Sequence, residues 1–171
     1  TKYKQSCLHQ RPNGPTTDND VKVRTVEVDG LAEGELLIKN EYFSLDPAIR
    51  GWMSDEPSYM PPIELGDVIR SSTVGTVVES RHPDFGVGDI VYGLNGWEEY
   101  SLSVGYFLTK VPEDNPFPLH YYLSAFGAVG LTAYFGIHDA AELKPGNTLL
   151  MSAAAGAVGS LGGQLAKNMG C

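Results

Sequence analysis

Short runs of alternating apolar and polar residues, separated by Gly or Pro, fill the first hundred positions of the chain. These runs are rich in β-branched and aromatic side chains and lie at residues 21–24, 35–45, 73–80, 89–94 and 98–104. In the second run, the alternation predicts that Leu36, Ile38 and Tyr42 share one face of a strand. Short strands at these intervals predict a barrel or sandwich rather than parallel βαβ units.

The pattern changes after an acidic, proline-rich connector at residues 111–118. Apolar residues then recur at helical spacing, which predicts two helices over residues 119–127 and 129–143. The second helix is expected to bury one face, made of Leu131, Tyr134, Phe135, Ile137 and Ala141. We therefore divide the chain into two predicted domains, residues 1–118 and 119–171.

A second architecture is predicted from a short apolar run at residues 147–152. Such a run, which follows a turn at 144–147, is typical of a strand buried on both faces. A helix is expected beyond it, with an apolar stripe made of Val158, Leu161, Leu165 and Met169 and with Gln164, Lys167 and Asn168 facing water. Since no neighbouring strand is predicted, we expect either that the chain continues beyond Cys171 or that this end docks on another molecule.

The turn between that strand and helix matches the dinucleotide fingerprint G-x-G-x-x-G. Ala154 replaces the first glycine, and Gly156 and Gly159 occupy the other two positions. Gly156 would let the backbone approach a pyrophosphate, and Gly159 would let the helix pack closely on the strand. The amides of the helix N-terminus would bind the phosphates, and the predicted cofactor-binding residues are Ala155, Gly156, Ala157, Val158 and Gly159.

A turn that merely packs small residues is the alternative interpretation of these glycines. The acidic residue that would bind the adenosine ribose is expected beyond Cys171. The residues present therefore do not distinguish NAD from NADP.

Charge and composition exclude several classes of partner and site. The formal net charge is -9 and the 12 Lys and Arg residues are scattered, so neither nucleic acid nor an anionic membrane is an expected partner. Cys7 and Cys171 are too few for a disulfide framework, and no apolar run reaches the length of a membrane span, so we expect a cytoplasmic protein. The four histidines lack ligand-like spacing, and no metal site is predicted.

Three segments resemble one enzyme family: residues 44–53 (SLDPAIRGWM), 130–137 (GLTAYFGI) and 152–167 (SAAAGAVGSLGGQLAK). They are similar to the zinc-independent branch of the medium-chain dehydrogenase/reductase superfamily, which contains prostaglandin reductases, curcumin reductases and plant alkenal double-bond reductases. The resemblance implies an α/β fold, with a GroES-like β-rich barrel domain over 1–118. Connecting helices and the start of a Rossmann doubly wound nucleotide-binding domain follow over 119–171. It also implies a longer, homodimeric full-length enzyme.

The chemistry that the resemblance implies is NADPH-dependent reduction of the activated carbon-carbon double bond of an α,β-unsaturated ketone or aldehyde. Hydride is delivered to the β-carbon of this small-molecule substrate. Where the superfamily's zinc alcohol dehydrogenases have Gly-His-Glu, this chain has LGDVIRSS at residues 65–72, so no zinc is expected. NADP is the cofactor that the resemblance implies. Two alternatives stay open, an NADPH quinone oxidoreductase and a non-catalytic binding protein of the same fold. No residue present is assigned as the proton donor.

The resemblance also suggests contacts to the reacting groups. It places Asp46 and Pro47 near the nicotinamide and substrate, although Asp46 could instead cap a short helix that begins at Pro47. Arg50 is a candidate to orient a substrate carbonyl or to pair with a local carboxylate. Thr132 matches a position near the nicotinamide amide in relatives, with a hydrogen bond back to the preceding helical turn as the alternative.

Two aromatic residues, Tyr59 and Trp97, are candidates for the wall of the substrate site, with a place in the hydrophobic core as the alternative. Ala48 stands where prostaglandin reductases often have tyrosine, which implies a different preferred enone. The adjacent Glu98 and Glu99 are interpreted as part of a solvated loop rather than as an acid/base pair.

Overall fold

The computed structural model describes every residue from Thr1 to Cys171. The chain divides into two compact units, Thr1–Pro116 and Phe117–Cys171. The first unit contains all of the strands and one short helix, whereas the second contains only helices and turns. The first unit is therefore rich in strands, and the second is helical.

The first unit is built from antiparallel strands. These are β1 (Lys2–Leu8), β2 (Val21–Glu27), β3 (Leu36–Phe43), β4 (Arg70–Ser80), β5 (Ile90–Gly96), β6 (Tyr100–Ser103) and β7 (Leu108–Lys110), and helix α1 (Pro47–Trp52) lies between β3 and β4. β1 and β2 form one sheet, and the other strands form a second in the order β6-β3-β4-β5-β7. Single bridges from Gln5 to Glu98 and from Cys7 to Val68 connect the two sheets.

Strand β3 departs from the simple alternation that its sequence predicts. Leu36, Leu37 and Ile38 are all fully buried, so both faces of the strand are covered at this end. The prediction that Tyr42 shares the buried face is wrong, because its side chain is 49% exposed. The register with β4 shifts between Asn40 and Tyr42, and one extra residue in a strand turns the following side chains to the other face.

Two hydrophobic clusters form the core of the first unit. One contains Leu36, Ile38, Val77 and Val91. The other contains Leu8, Ile49, Met53, Ile63 and Ile69, with Trp52 and Trp97 packed against it. Because Ile49 belongs to α1 and Met53 ends it, this second cluster fixes α1 on the sheets.

The second unit begins with a 3₁₀ turn, Leu119–Leu123, where a longer helix was predicted. Helix α2 (Ala128–Phe135) follows and continues into one π-helical turn, Gly136–Ala140, and α3 is Ala157–Asn168. None of the helices is long and apolar enough to span a bilayer.

The apolar face predicted for residues 129–143 is wrong in most of its members. Ala133 and Ile137, one helical turn apart, are the buried residues there, whereas Leu131, Tyr134 and Phe135 are about half exposed. The buried side of this helix is the one that carries the small Ala133, because a small side chain lets neighbouring residues pack closely against the helix.

Helix α3 buries its predicted stripe only in part, because Leu161, Leu165 and Met169 are half-buried and the fully buried residues are small. Its buried residues are Gly159, Gly162 and Ala166, at spacings of three and four, whereas Val158 is 39% exposed. A β-carbon built on Gly162 would lie 2.8 Å from Met151 Cε and 3.5 Å from Ile137 Cδ1. Because Gly162 has no side chain, helix α3 can approach Met151 and Ile137 closely.

No strand forms at residues 147–152, so that prediction is wrong for this structure. The segment is extended without a ladder, and Leu150 is 96% exposed. A strand is defined by its hydrogen bonds to a neighbouring strand, and the second unit contains no strand to supply them.

Candidate functional site

The segment from Ser44 to Asp46 links β3 to α1 and contains the predicted Asp46. At its start, the carbonyl of Ser44 accepts hydrogen bonds from Trp97 Nε1 at 3.1 Å and from Ser71 Oγ at 2.6 Å. The amide of Ser44 donates to the carbonyl of Ser72 at 2.8 Å. Three hydrogen bonds from two other parts of the unit therefore fix Ser44.

Asp46 lies at the N-cap position of α1, and Pro47 is the first helical residue. Pro suits that position because its missing N–H would have no partner there. The carboxylate of Asp46 makes no capping hydrogen bond, so the alternative role of a side-chain cap is wrong. Its carbonyl accepts from the amide of Ile49 at 3.0 Å. The backbone of Asp46 is thus held by this hydrogen bond, and its carboxylate remains able to bind a ligand.

Arg50 binds main-chain carbonyls, and neither of the two ion pairs of the structure involves it. Its Nε and Nη2 donate to the Gly14 carbonyl at 2.9 and 2.8 Å, and Nη2 also donates to Pro12 at 3.0 Å. In return, Arg11 Nη1 donates to the carbonyls of Met53 and Ile63 at 2.9 and 2.6 Å. We call this pair of side chains the arginine clasp, because it joins loop 9–20 to α1 from both sides.

The two aromatic candidates occupy different surroundings. Tyr59 is 78% exposed, with its ring centroid 6.2 Å from that of Trp52 in an edge-to-face arrangement. Trp97 is half-buried against the core cluster of α1, with its ring 6.1 Å from Phe43. It also lines a groove of about 330 Å³ together with Phe43 and Asn40. Both retain exposed ring surface, and their contact with a substrate stays a prediction.

Glu98 is not a solvated loop residue, contrary to the sequence interpretation. Its carboxylate accepts a hydrogen bond from Ser101 Oγ at 2.7 Å. Burial raises the pKa of Glu98, and the hydrogen bond from Ser101 and the nearby Arg24 guanidinium oppose this increase. Burial and the Glu98 charge together raise the pKa of Tyr3. Glu99 differs, because it is exposed and accepts from the amide of Lys4 at 2.7 Å.

In the second unit, the glycine-rich turn closes tightly on itself. Ala153 has a left-handed backbone with φ 46, and its carbonyl accepts from the amide of Gly156 at 2.8 Å. A β-carbon on Gly159 would lie 2.3 Å from the Ala153 carbonyl oxygen and 2.9 Å from Ala154 Cα. Glycine is therefore required at 159 for the helix to begin so close to the turn.

The first turn of α3 presents main-chain donors. No carbonyl accepts from the amides of Ala157, Val158 and Gly159, and the first amide bonded back to the turn is that of Ser160, 2.9 Å from the Gly156 carbonyl. Ala155, Gly156, Ala157 and Val158 are exposed, whereas Gly159 is buried. Free amides at a helix N-terminus suit the diphosphate of a dinucleotide. The Gly156 amide is already bonded, and the other predicted cofactor-binding residues stay predictions.

Thr132 makes the hydrogen bond that was the alternative to a cofactor contact. Its Oγ1 donates to the Ala128 carbonyl at 2.7 Å, one turn earlier in α2. The side chain is exposed and lines a shallow apolar groove with Leu131 and Phe135. Its oxygen can still accept a hydrogen bond, so the nicotinamide contact stays a prediction.

Sequence reasoning missed Arg11 and Ser71. Arg11 gives no local signal, since its partners lie 42 and 52 positions away. Ser71 belongs to a β-rich run in which a serine is unremarkable, and its partner lies 27 positions away. The structure contains no group of three or more His, Cys, Asp or Glu side chains able to hold a metal ion.

Comparison with known proteins identifies the family. Residues 4–111 match the model of the N-terminal domain of oxidoreductase, and the chain therefore belongs to that family. An NADPH-dependent curcumin reductase of Escherichia coli (strain K12) is 43% identical over 164 residues, which are 96% of this chain and 47% of the relative. A 2-alkenal reductase (NADP(+)-dependent) of Nicotiana tabacum is 38% identical, over 98% of this chain and 50% of the relative.

The solved structures agree with this assignment. CurA of Vibrio vulnificus in complex with NADPH has a TM-score of 0.91 and 38% identity, over 98% of this chain and 50% of that chain. These relatives confirm the resemblance to the zinc-independent branch of the medium-chain reductases and the fold class, a GroES-like part followed by the start of a Rossmann part. The chain spans about half the length of the relatives it matches.

Proposed function

We propose that this chain is part of an NADPH-dependent reductase of α,β-unsaturated ketones and aldehydes. The observation that carries the proposal is the first turn of α3, where the amides of the exposed residues Ala157 and Val158 have no partner within the protein. The similarity to reductases of curcumin and 2-alkenals supports the substrate class.

The first turn of α3 would bind the cofactor diphosphate. The free amides of Ala157 and Val158 and the positive end of the α3 dipole would stabilise a doubly charged group at that position. Gly159 keeps the helix start against the turn, and Ala155 and Ala157 leave room for the phosphates. When bound, the cofactor supplies a hydride, and the protein contributes binding and orientation.

The Ser44–Asp46 link would orient the nicotinamide and the enone. Asp46 and Pro47 are proposed to lie beside the ring. The substrate would lie against Tyr59 and Trp97, and Ala48 leaves space that a tyrosine would fill. Arg50 acts through the arginine clasp, which keeps α1 in place. Correct positioning accounts for much of the rate in such a transfer, because reacting carbons must approach closely and in line.

The proposal is tested with the full-length protein, NADPH and two acceptors, a straight-chain enone and a quinone. NADPH deuterated at its transferable position would report where the hydride goes. We expect turnover of the enone, with deuterium at the β-carbon of the saturated ketone by NMR. Turnover of the quinone alone, or deuterium at the carbonyl carbon of an alcohol product, would contradict the proposal.

A further inference from the structure

We infer that Ser71 and Trp97 are positioning residues of the proposed site, acting through one shared acceptor, the main-chain carbonyl of Ser44. The inference rests on the proposed function, since it concerns how Asp46 and Pro47 are held. Ser71 Oγ lies 2.6 Å and Trp97 Nε1 lies 3.1 Å from the Ser44 oxygen.

Ser71 and Trp97, the two donors, are each held in place by main-chain contacts. Ser71 is fully buried near the start of β4, where its backbone pairs with Asn95 of β5. The Trp97 amide donates to Ile69 at 2.9 Å, and its carbonyl accepts from Ser6 at 2.8 Å. A hydroxyl and an indole held in this way define the position of the acceptor between them.

The link from Ser44 to α1 has few other anchors. β3 ends at Phe43 and α1 begins at Pro47, so the intervening residues belong to no regular element. Leu45 is 74% exposed and holds nothing in the core, and the Asp46 carboxylate caps nothing. The next buried anchor along the chain is Ile49. Release of Ser44 would therefore let Asp46 and Pro47 move while α1 stays packed.

Ser80 offers a matched control for Ser71. It lies at the other end of β4, and its Oγ also donates to a main-chain carbonyl, that of Phe85, at 2.5 Å. The variants S71A and S80A thus remove the same kind of hydrogen bond from the same strand. W97F removes the indole N–H together with part of the ring surface that packs on the core cluster of α1, and it retains an aromatic ring. S71T returns the hydroxyl to position 71.

The test measures kcat and KM for enone reduction in the full-length enzyme, together with hydrogen exchange of the Ser44 and Ile49 amides. We expect S71A to lower kcat about tenfold with KM changed by less than about threefold, because positioning affects the transition state more than binding. W97F should lower kcat as well, and its KM should rise because Trp97 is also a proposed substrate contact. Exchange of both amides should accelerate. S71T should recover most of kcat, and S80A should change neither kcat nor exchange at these amides.

Two results would overturn the inference. One is unchanged exchange at Ser44 and Ile49 in both S71A and W97F. The other is a loss of kcat in S80A as large as in S71A, which would indicate general destabilisation. If S71A does not fold, W97F alone decides. A wild-type protein that does not reduce enones would reject the proposed function, and the exchange data would still decide whether Ser71 and Trp97 hold the link.

Discussion

Arg50 and Gly14 are joined by two hydrogen bonds, from Nε and Nη2 of one guanidinium to a single carbonyl oxygen. With Arg11, which donates in the opposite direction to Met53 and Ile63, this contact couples a loop near the N-terminus to the helix that follows Asp46. A planar fork of donors is needed for such a contact, and lysine cannot reproduce it.

R50K is therefore expected to be destabilising although the charge is kept. Loss of the forked contact should lower the free energy of unfolding by about 1–2 kcal/mol, in line with hydrogen bonds to charged groups. Urea denaturation measures this change. The control is R81K, because Arg81 forms an exposed ion pair with Glu33 at 2.9 Å, and exposed pairs contribute little. Equal denaturation midpoints for R50K and R81K would contradict the importance of the arginine clasp.

Gly159 and Gly163 form a second matched pair on α3. A β-carbon at 159 would overlap the Ala153 carbonyl at 2.3 Å, whereas one at 163 meets nothing within 4 Å. G159A should displace the first turn of the helix and weaken NADPH binding by about tenfold or more, because the amide donors would no longer be aligned. G163A should leave affinity unchanged and stabilise the helix by about 0.5–1 kcal/mol.

Fluorescence titration of NADPH and thermal unfolding of the full-length protein measure both effects. Unchanged affinity in G159A would mean that the first turn of α3 does not bind the diphosphate. A loss of affinity in G163A as large as in G159A would point to general damage to the helix instead.

The raised pKa of Glu98 leads us to expect that the free energy of unfolding depends on pH. Its pKa is raised by burial, so the folded state holds a proton that the unfolded state releases. Stability should therefore fall as pH rises from the ordinary value of 4.5 through the raised pKa of the folded state. E98Q should flatten this part of the curve, measured by urea denaturation at a series of pH values.

S101A supplies the opposite variant for the same measurement. The Ser101 hydroxyl donates to the Glu98 carboxylate and lowers its pKa, so its removal should raise that pKa further and steepen the loss of stability with pH. Parallel curves for wild type, E98Q and S101A would show that Glu98 titrates alike in the folded and unfolded states.

The two donors to the Ser44 carbonyl should show a cooperative effect on stability. Either S71A or W97F leaves one donor, whereas the double variant leaves the carbonyl without both of its side-chain partners. Ser44 is half-buried, and a carbonyl there that loses both side-chain donors costs more than one that keeps a donor. The double variant should therefore be destabilised by about 1 kcal/mol more than the sum of the single variants. W97F combined with S80A should be additive. Additivity in both pairs, measured by urea denaturation, would mean that the donors act independently.

Much of the first unit was predictable because alternation of apolar and polar residues directly reflects a half-buried strand. The runs at 21–24, 73–80 and 89–94 all lie within or overlap observed strands. Tyr42 was placed on the wrong face because a shift in register leaves no mark in the pattern of side chains. The start of α3 was predictable from its glycines, since their spacing reflects a local turn.

The remaining features depend on contacts between distant residues. The arginine clasp and the Ser44 acceptor join positions that are 27 to 53 residues apart, and no local pattern indicates such pairs. The buried face of α3 escaped prediction for a different reason. Hydrophobic periodicity weights large side chains, whereas Gly162 and Ala166 are buried because they are small. The strand at 147–152 needed a partner that the second unit does not contain.

Ala153 introduces backbone strain into the glycine-rich turn, because its φ is positive. An alanine at φ 46 is held in a conformation that disfavours its methyl group by about 1–2 kcal/mol, and the hydrogen bond from Gly156 helps to keep it there. Replacement by glycine would relax the backbone and would also loosen the loop before any ligand arrives. The alanine thus lowers the stability of the protein slightly, and in return the loop has one conformation before a ligand binds.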